Sequence, residues 1–121
     1  MTRRVIKAIK NPNVKILAHP TGRLILEREP FKINLQEVIR AAIDQGVALE
    51  INAYPDRLDL RDADARMARD MGARLAISTD AHSTQQLELM KYGVFTARRG
   101  WIEAQDVINT YPLEQMLRFL R

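Results

Sequence analysis

Short apolar runs alternating with amphipathic segments predict an α/β chain built on a parallel sheet. Strand-like runs begin near residues 14, 47 and 74, and each leads into a segment of helical period, as successive βα units require. "VALEIN" alternates with period two, setting Val47, Leu49 and Ile51 on one face and Ala48, Glu50 and Asn52 on the other. With 121 residues, 46% of them hydrophobic and 28% charged, the chain has the length of one domain and enough apolar material for a core.

The elements follow in order. Val5, Ile6 and Ile9 predict an opening helix that stops near "NPN". Val14 to Ala18 reads as a strand, and a loop rich in Pro, Gly and charge runs on through Pro30. Asn34 as N-cap with Glu37 at N3 opens a helix whose apolar face holds Leu35, Val38, Ile39, Ala42 and Ile43, and Gly46 ends it. After the strand "VALEIN", the loop "AYPDRLDL" leads to a helix with Asp59 as its expected cap and Gly72 as its stop. "RLAIST" is the third strand. Ser83 with Gln86 forms a capping box for a helix reaching about Lys91, "VFTA" reads as a short extended segment, and two final helices flank the break at "TYP".

Composition narrows the chemistry. Cysteine is absent, so disulfides and thiolate ligands are excluded, which suits a cytoplasmic setting. No apolar run reaches the roughly 18 residues of a membrane span, so no membrane partner is expected. The first residues lack the long apolar stretch of a secretory signal. The net charge of +4 favours acidic partners, nucleic acid among them. Arg98 and Arg99 are most simply exposed charges, and Trp101 a packing anchor.

Parallel βα architectures carry their sites at the carboxyl ends of the strands, and polar residues fall there in all three units. His19 follows the first strand in "LAHP", Glu50 and Asn52 lie near the end of the second, and Asp80 and His82 follow the third in "ISTDAH". In extended backbone Asp80 and His82 would point to one side. Carboxylate oxygen with imidazole nitrogen suits Zn, Mn or Fe, giving His19, Asp80 and His82 as candidate metal ligands. Glu50 is a fourth candidate, or orients the ligands through a hydrogen bond. Plainer roles remain open. Asp80 could cap the next helix, His82 could be a surface residue, His19 could be a loop residue held extended by Pro20, and Glu50 could pair with Arg23 or Arg57.

"ILAHPTGRL", "ALEINAYPDRLDL", "ISTDAHSTQQLELMKYGV" and "TARRGW" resemble the end of the PHP (polymerase and histidinol phosphatase) domain. The resemblance is closest to the PHP domain at the C-terminus of bacterial and archaeal family X DNA polymerases, and it covers nearly the whole chain. "AHP" and "DAH" are general to the family, whereas "HPTGR" and "ARRGW" point to the polymerase branch. The resemblance implies a distorted (β/α)7 TIM-like barrel holding as many as three divalent ions, zinc, manganese or iron, at its strand ends. It implies phosphoester hydrolysis, in the polymerases often 3′-end processing or 3′–5′ exonuclease action on DNA, with a place in DNA repair.

By the same resemblance His19, Asp80 and His82 are metal ligands, with Asp80 and His82 at the catalytic centre, while Glu50 supports the ligands and is not itself one of the main ones. Arg23 of "HPTGR" is a candidate contact to substrate phosphate, because a guanidinium suits bidentate recognition. The family's opening H-x-H, its following histidines and its bridging glutamate have no counterpart here, and a barrel of this class needs about 250 residues. Residues 1–121 therefore read as a partial PHP domain, the C-terminal half of the barrel. The expected partners are DNA, the upstream half of the domain and a polymerase core, with self-association of the isolated piece. The alternatives are a non-catalytic binding or structural fragment and a phosphatase of the histidinol phosphate type.

Overall fold

The computed structural model describes every residue from Met1 to Arg121. Its elements are α1 (Thr2–Ile9), β1 (Ile16–Leu17), α2 (Leu35–Gln45), β2 (Ala48–Asn52), α3 (Asp62–Met71), β3 (Leu75–Ser78), α4 (Met90–Arg99) and α5 (Leu113–Leu120), with short 3₁₀ turns between β3 and α5. The three strands form one parallel sheet in the order β1-β2-β3. Ile16 lies opposite Ala48, Leu49 opposite Leu75, and Asn52 opposite Ser78. The α/β class read from the strand–helix alternation holds.

The alternation in "VALEIN" sorts the sheet into two faces. Val47, Leu49 and Ile51, with Leu75 and Ile77, join Val38, Ile39 and Ala42 of α2, Ala65 and Ala68 of α3 and Ala97 of α4 in the main core. On the other face Ala48 and Ala76 meet Ile108, and Tyr111, Met116 and Phe119 pack over them. Both faces are covered, so every residue of β2 is buried, Glu50 and Asn52 included. The apolar part of the second face lies toward the start of the strands. The polar part lies at their carboxyl ends.

Two helix stops and one cap are as expected. Gly46 and Gly72 both take left-handed backbone, and Asn34 accepts the Glu37 amide at 3.2 Å. The Asn34 amide donates to Thr2 Oγ1 at 2.8 Å, so it is α1, not the Glu37 side chain, that satisfies it. Ile43 lies at the exposed rim of α2.

Elsewhere the structure differs from the sequence reading. β1 is shorter than Val14–Ala18, because the Val14 amide closes a turn onto Asn11 and the chain bends at His19. Asp59 does not cap α3, which begins at Asp62 with Arg61 in the cap position, because the Asp59 carboxylate is buried and occupied elsewhere. Ser83 and Gln86 do not form the expected box; Gln86 Oε1 accepts the His82 amide at 2.6 Å. A 3₁₀ turn (Gln85–Leu89) runs into α4, which absorbs "VFTA". Packing overrides β-propensity here. Gly93 lies so close to the sheet that a Cβ on it would sit 2.6 Å from Ile77 Cγ2 and 2.8 Å from Ala53 Cβ.

Of the two final helices only α5 is α-helical; the first is a pair of 3₁₀ turns at Ala104–Asp106 and Ile108–Thr110. Those turns close the outer edge of β3. The Asn109 amide accepts from the Ile77 N–H at 2.9 Å and donates to the Ile77 carbonyl at 2.8 Å, as a neighbouring strand would. Trp101 is 65% exposed, with the Arg66 guanidinium 4.4 Å above its ring, and is not a packing anchor. Arg98 and Arg99 are exposed as expected, and Arg99 pairs with Asp62 at 3.0 Å. No helix is long and apolar enough to cross a membrane.

Candidate functional site

Because the strands are parallel, their carboxyl ends open on one side of the sheet, and each delivers a polar turn there. After β1 the chain turns at His19, whose φ is +29°. The His19 carbonyl accepts the Gly22 amide at 3.0 Å, and Pro20, Thr21 and Gly22 are buried. The turn is held from three directions. Glu50 Oε2 accepts the His19 amide at 2.6 Å. Asp59 accepts the Thr21 amide at 3.2 and 3.0 Å and the Gly22 amide at 2.9 Å. The Arg28 guanidinium donates to the Gly22 carbonyl at 2.9 and 2.7 Å.

Gly22 is required twice over. Its φ is +66°, and a Cβ there would meet the Phe31 ring at 2.1 Å. Asp59 is fully buried, and burial raises its pKa against the opposing pull of the Thr21 hydroxyl, the Thr21 and Gly22 amides and Arg23. The Thr21 hydroxyl makes no hydrogen bond of ordinary geometry, so the two amides are what hold the carboxylate.

β2 contributes a buried amide between two carboxylates. Asn52 Nδ2 donates to Glu50 Oε2 at 3.4 Å and to Asp80 Oδ2 at 3.3 Å, and Asn52 Oδ1 accepts the Tyr54 amide at 3.0 Å. Glu50 therefore pairs with neither Arg23 nor Arg57; its oxygens serve the His19 amide and Asn52.

After β3 the backbone is not extended at Asp80, whose φ is +56°. His82 folds back so that Nδ1 lies 2.7 Å from the Asp80 carbonyl. A carbonyl only accepts, so Nδ1 carries the proton and, in the neutral ring, Nε2 keeps its lone pair. Asp80 caps no helix: its carboxylate receives only Asn52 Nδ2, and the next turn has Thr84 in its cap position. Asp80 and His82 are both exposed and line an open cavity of about 270 Å³, with Tyr54, Asp56, Arg57 and Gln86 on its other walls.

One line of hydrogen bonds thus joins the His19 backbone, Glu50, Asn52, Asp80 and His82 across all three strand ends. Arg23 lies outside it. Its Nε donates to the Arg57 carbonyl at 2.7 Å and its Nη2 to the Leu58 carbonyl at 2.6 Å, so the guanidinium braces the loop after β2.

Asp80 oxygen and His82 Nε2 have the donor chemistry of a borderline divalent ion, with the orienting bond on the other ring nitrogen that such ligands use. No group of three His, Asp or Glu side chains converges, so Asp80 and His82 offer at most two donors and the His19 side chain does not join them. The reading by residue type passed over Asn52, Asp59, Arg57 and Gln86 as working parts. Each owes its role to long-range placement, although the strict alternation in "VALEIN" already aimed Asn52 beside Glu50.

Fold and site together define a parallel α/β unit with a carboxylate–imidazole pair at its strand ends. The chain is 43% identical over 119 residues to the DNA polymerase/3′-5′ exonuclease PolX of Bacillus subtilis (strain 168), covering 98% of this chain and 21% of that protein. It is 30% identical over 122 residues to a probable phosphatase of Shewanella sp. (strain ANA-3), 96% of this chain and 42% of that protein. It is 27% identical over 115 residues to a probable phosphatase of Thermoanaerobacter sp. (strain X514), 90% of this chain and 44% of that protein. The chain thus spans less than half the length of these relatives. No family model matches it. These relatives are named for polymerase, 3′-5′ exonuclease and phosphatase activities.

Proposed function

We propose that residues 1–121 form the C-terminal part of a PHP-type, metal-dependent phosphoesterase domain that acts on DNA 3′ ends in a cytoplasmic, polymerase-linked protein. The observation that carries this is the line of hydrogen bonds from His19 to His82, which leaves the Asp80 carboxylate and His82 Nε2 exposed at the cavity. Homology to a protein named as a DNA polymerase and 3′-5′ exonuclease supports the DNA substrate. On this reading the sheet is part of a distorted (β/α)7 barrel, and the missing donors come from its upstream half.

Asp80 and His82, with His19 at a separate position among several ions, would contribute ligands to zinc, manganese or iron, which when bound would polarise the phosphate and activate water. The chain's own residues do the positioning. Asn52 fixes the Asp80 carboxylate, the Asp80 carbonyl sets the His82 tautomer, and Glu50 and Asp59 clamp the turn that carries His19.

The test is hydrolysis by the full-length polypeptide encoded with this sequence, supplied with manganese or zinc. The expected result is release of nucleotides or phosphate from the 3′ end of a DNA primer, faster than from a small phosphomonoester. A second reading, a small-molecule phosphatase, is favoured by the relatives named as probable phosphatases. Turnover confined to small phosphomonoesters would select it. A third reading, a non-catalytic binding or structural unit, draws on the absence of three convergent donors. Failure to hydrolyse any phosphoester would select that one.

A further inference from the structure

We propose that Arg57 is the residue that contacts substrate phosphate at this site, and that Arg23 positions it; the proposal rests on the phosphoesterase reading above. Arg23 was the candidate by residue type, yet two of its guanidinium nitrogens are committed to the carbonyls of Arg57 and Leu58 at 2.7 and 2.6 Å. Arg57 is the reverse case. It makes no ion pair, and its one hydrogen bond runs from Nη1 to the Arg23 carbonyl at 3.3 Å. It is also the one permanently cationic side chain lining the cavity of Asp80 and His82. A half-buried guanidinium beside a carboxylate–imidazole pair, with most of its donors unused, has the chemistry of an anion contact.

The loop that presents Arg57 is organised in advance. Asn52 Oδ1 accepts the Tyr54 amide at 3.0 Å, and the Tyr54 carbonyl accepts the amides of Arg57 and Leu58 at 2.9 and 3.0 Å. Arg23 closes the same turn from the other side. Asn52 also holds Asp80, so one buried amide sets both the cationic and the anionic wall of the cavity. A phosphate oxyanion is the ligand that Arg57 would take in this cavity, and a divalent ion held at Asp80 would offset the Asp80 and Asp56 carboxylates that share its lining.

The test follows the arginine Nε–H resonances of the 121-residue chain during titration with inorganic phosphate and then deoxyadenosine 5′-monophosphate. A saturable shift is expected at Arg57 and not at Arg23. Arg57→Gln should weaken phosphate binding by about tenfold or more, the loss of a charge-assisted hydrogen-bonded contact. Its urea midpoint should stay unchanged, because Arg57 gives up one long hydrogen bond. Arg23→Lys should weaken binding less and leave the Arg57 shift in place. In the full-length protein Arg57→Gln should raise KM for a DNA 3′ end more than it lowers kcat.

A shift at Arg23 with none at Arg57, no saturable shift at either, or unchanged phosphate affinity in Arg57→Gln would overturn the assignment. Phosphate binding at Arg57 in a full-length protein without hydrolytic activity would overturn the phosphoesterase reading and leave the phosphate contact standing.

Discussion

Replacing Asp59 with alanine would leave the buried Thr21 amide without an acceptor and the Gly22 amide with the His19 carbonyl alone. An unsatisfied buried donor costs about 1–3 kcal/mol and the second bond lost by Gly22 about 1 kcal/mol or less, so the two together cost about 1–4 kcal/mol. Removing a buried carboxylate returns part of this, since the raised pKa of Asp59 records that burial of the charge outweighs its hydrogen bonds. A net loss of about 1–3 kcal/mol is expected, against the roughly 5–15 kcal/mol that stabilises a domain.

The loss should appear as a lower urea midpoint and as faster hydrogen exchange at Thr21, which keeps no acceptor, than at Gly22, which keeps the His19 carbonyl. Asp59→Asn keeps an oxygen that either amide can use, and should lose about half as much. The sign of the pH effect is fixed as well. A carboxyl whose folded pKa is raised adds stability that is full below its ordinary value of 3.8 and is lost as pH rises through the higher folded value. Asp59→Asn should flatten that fall. An Asp59→Ala chain as stable as the parent, with Thr21 still protected, would refute the clamp.

Gly93→Ala should destabilise the chain by about 1–2 kcal/mol in urea, because overpacking against Ile77 and Ala53 exceeds the gain in helix propensity of about 1 kcal/mol. Ala53→Gly in the same chain should restore part of the loss, and no loss in Gly93→Ala alone would contradict the close approach. Asn109→Ala removes both bonds to Ile77 and uncovers the outer edge of β3. Sedimentation should show stronger concentration-dependent association than in the parent, and an unchanged profile would count against edge closure. Gly22→Ala combines a positive φ with a clash on Phe31, and should lower stability by more than about 2 kcal/mol; a tolerated alanine would mean that the His19 turn is not rigid.

The framework was legible where local chemistry and periodicity agree. Alternation in "VALEIN" assigned both faces of β2 correctly, and Asn34, Gly46 and Gly72 mark helix ends that need only their neighbours in sequence. The failures share one cause, which is that a distant partner decides. "VFTA" has strand propensity, yet contact of Gly93 with the sheet keeps it helical. Asp59 sits where a cap belongs, but two amides nearly forty residues upstream claim it. Ser83 and Gln86 have capping-box spacing, and Gln86 turns to His82 instead. At the site, parallel topology placed His19, Glu50, Asp80 and His82 at the strand ends. The exchange of roles between Arg23 and Arg57 was not readable, because it depends on which loop carbonyls face which guanidinium.

The central claim is that Asp80 and His82 present donors to a divalent ion at the strand ends. Titrating the labelled chain with manganese and recording paramagnetic broadening of each amide tests it most directly. Two donors lining one cavity bind weakly, so broadening should appear at millimolar metal, strongest at Thr79–Ser83 and extending to His19. Asp80→Asn should abolish it without shifting the urea midpoint, since asparagine keeps the size and loses the charge, and His82→Gln should reduce it. Broadening centred away from these strand ends, or undiminished in Asp80→Asn, would contradict the account.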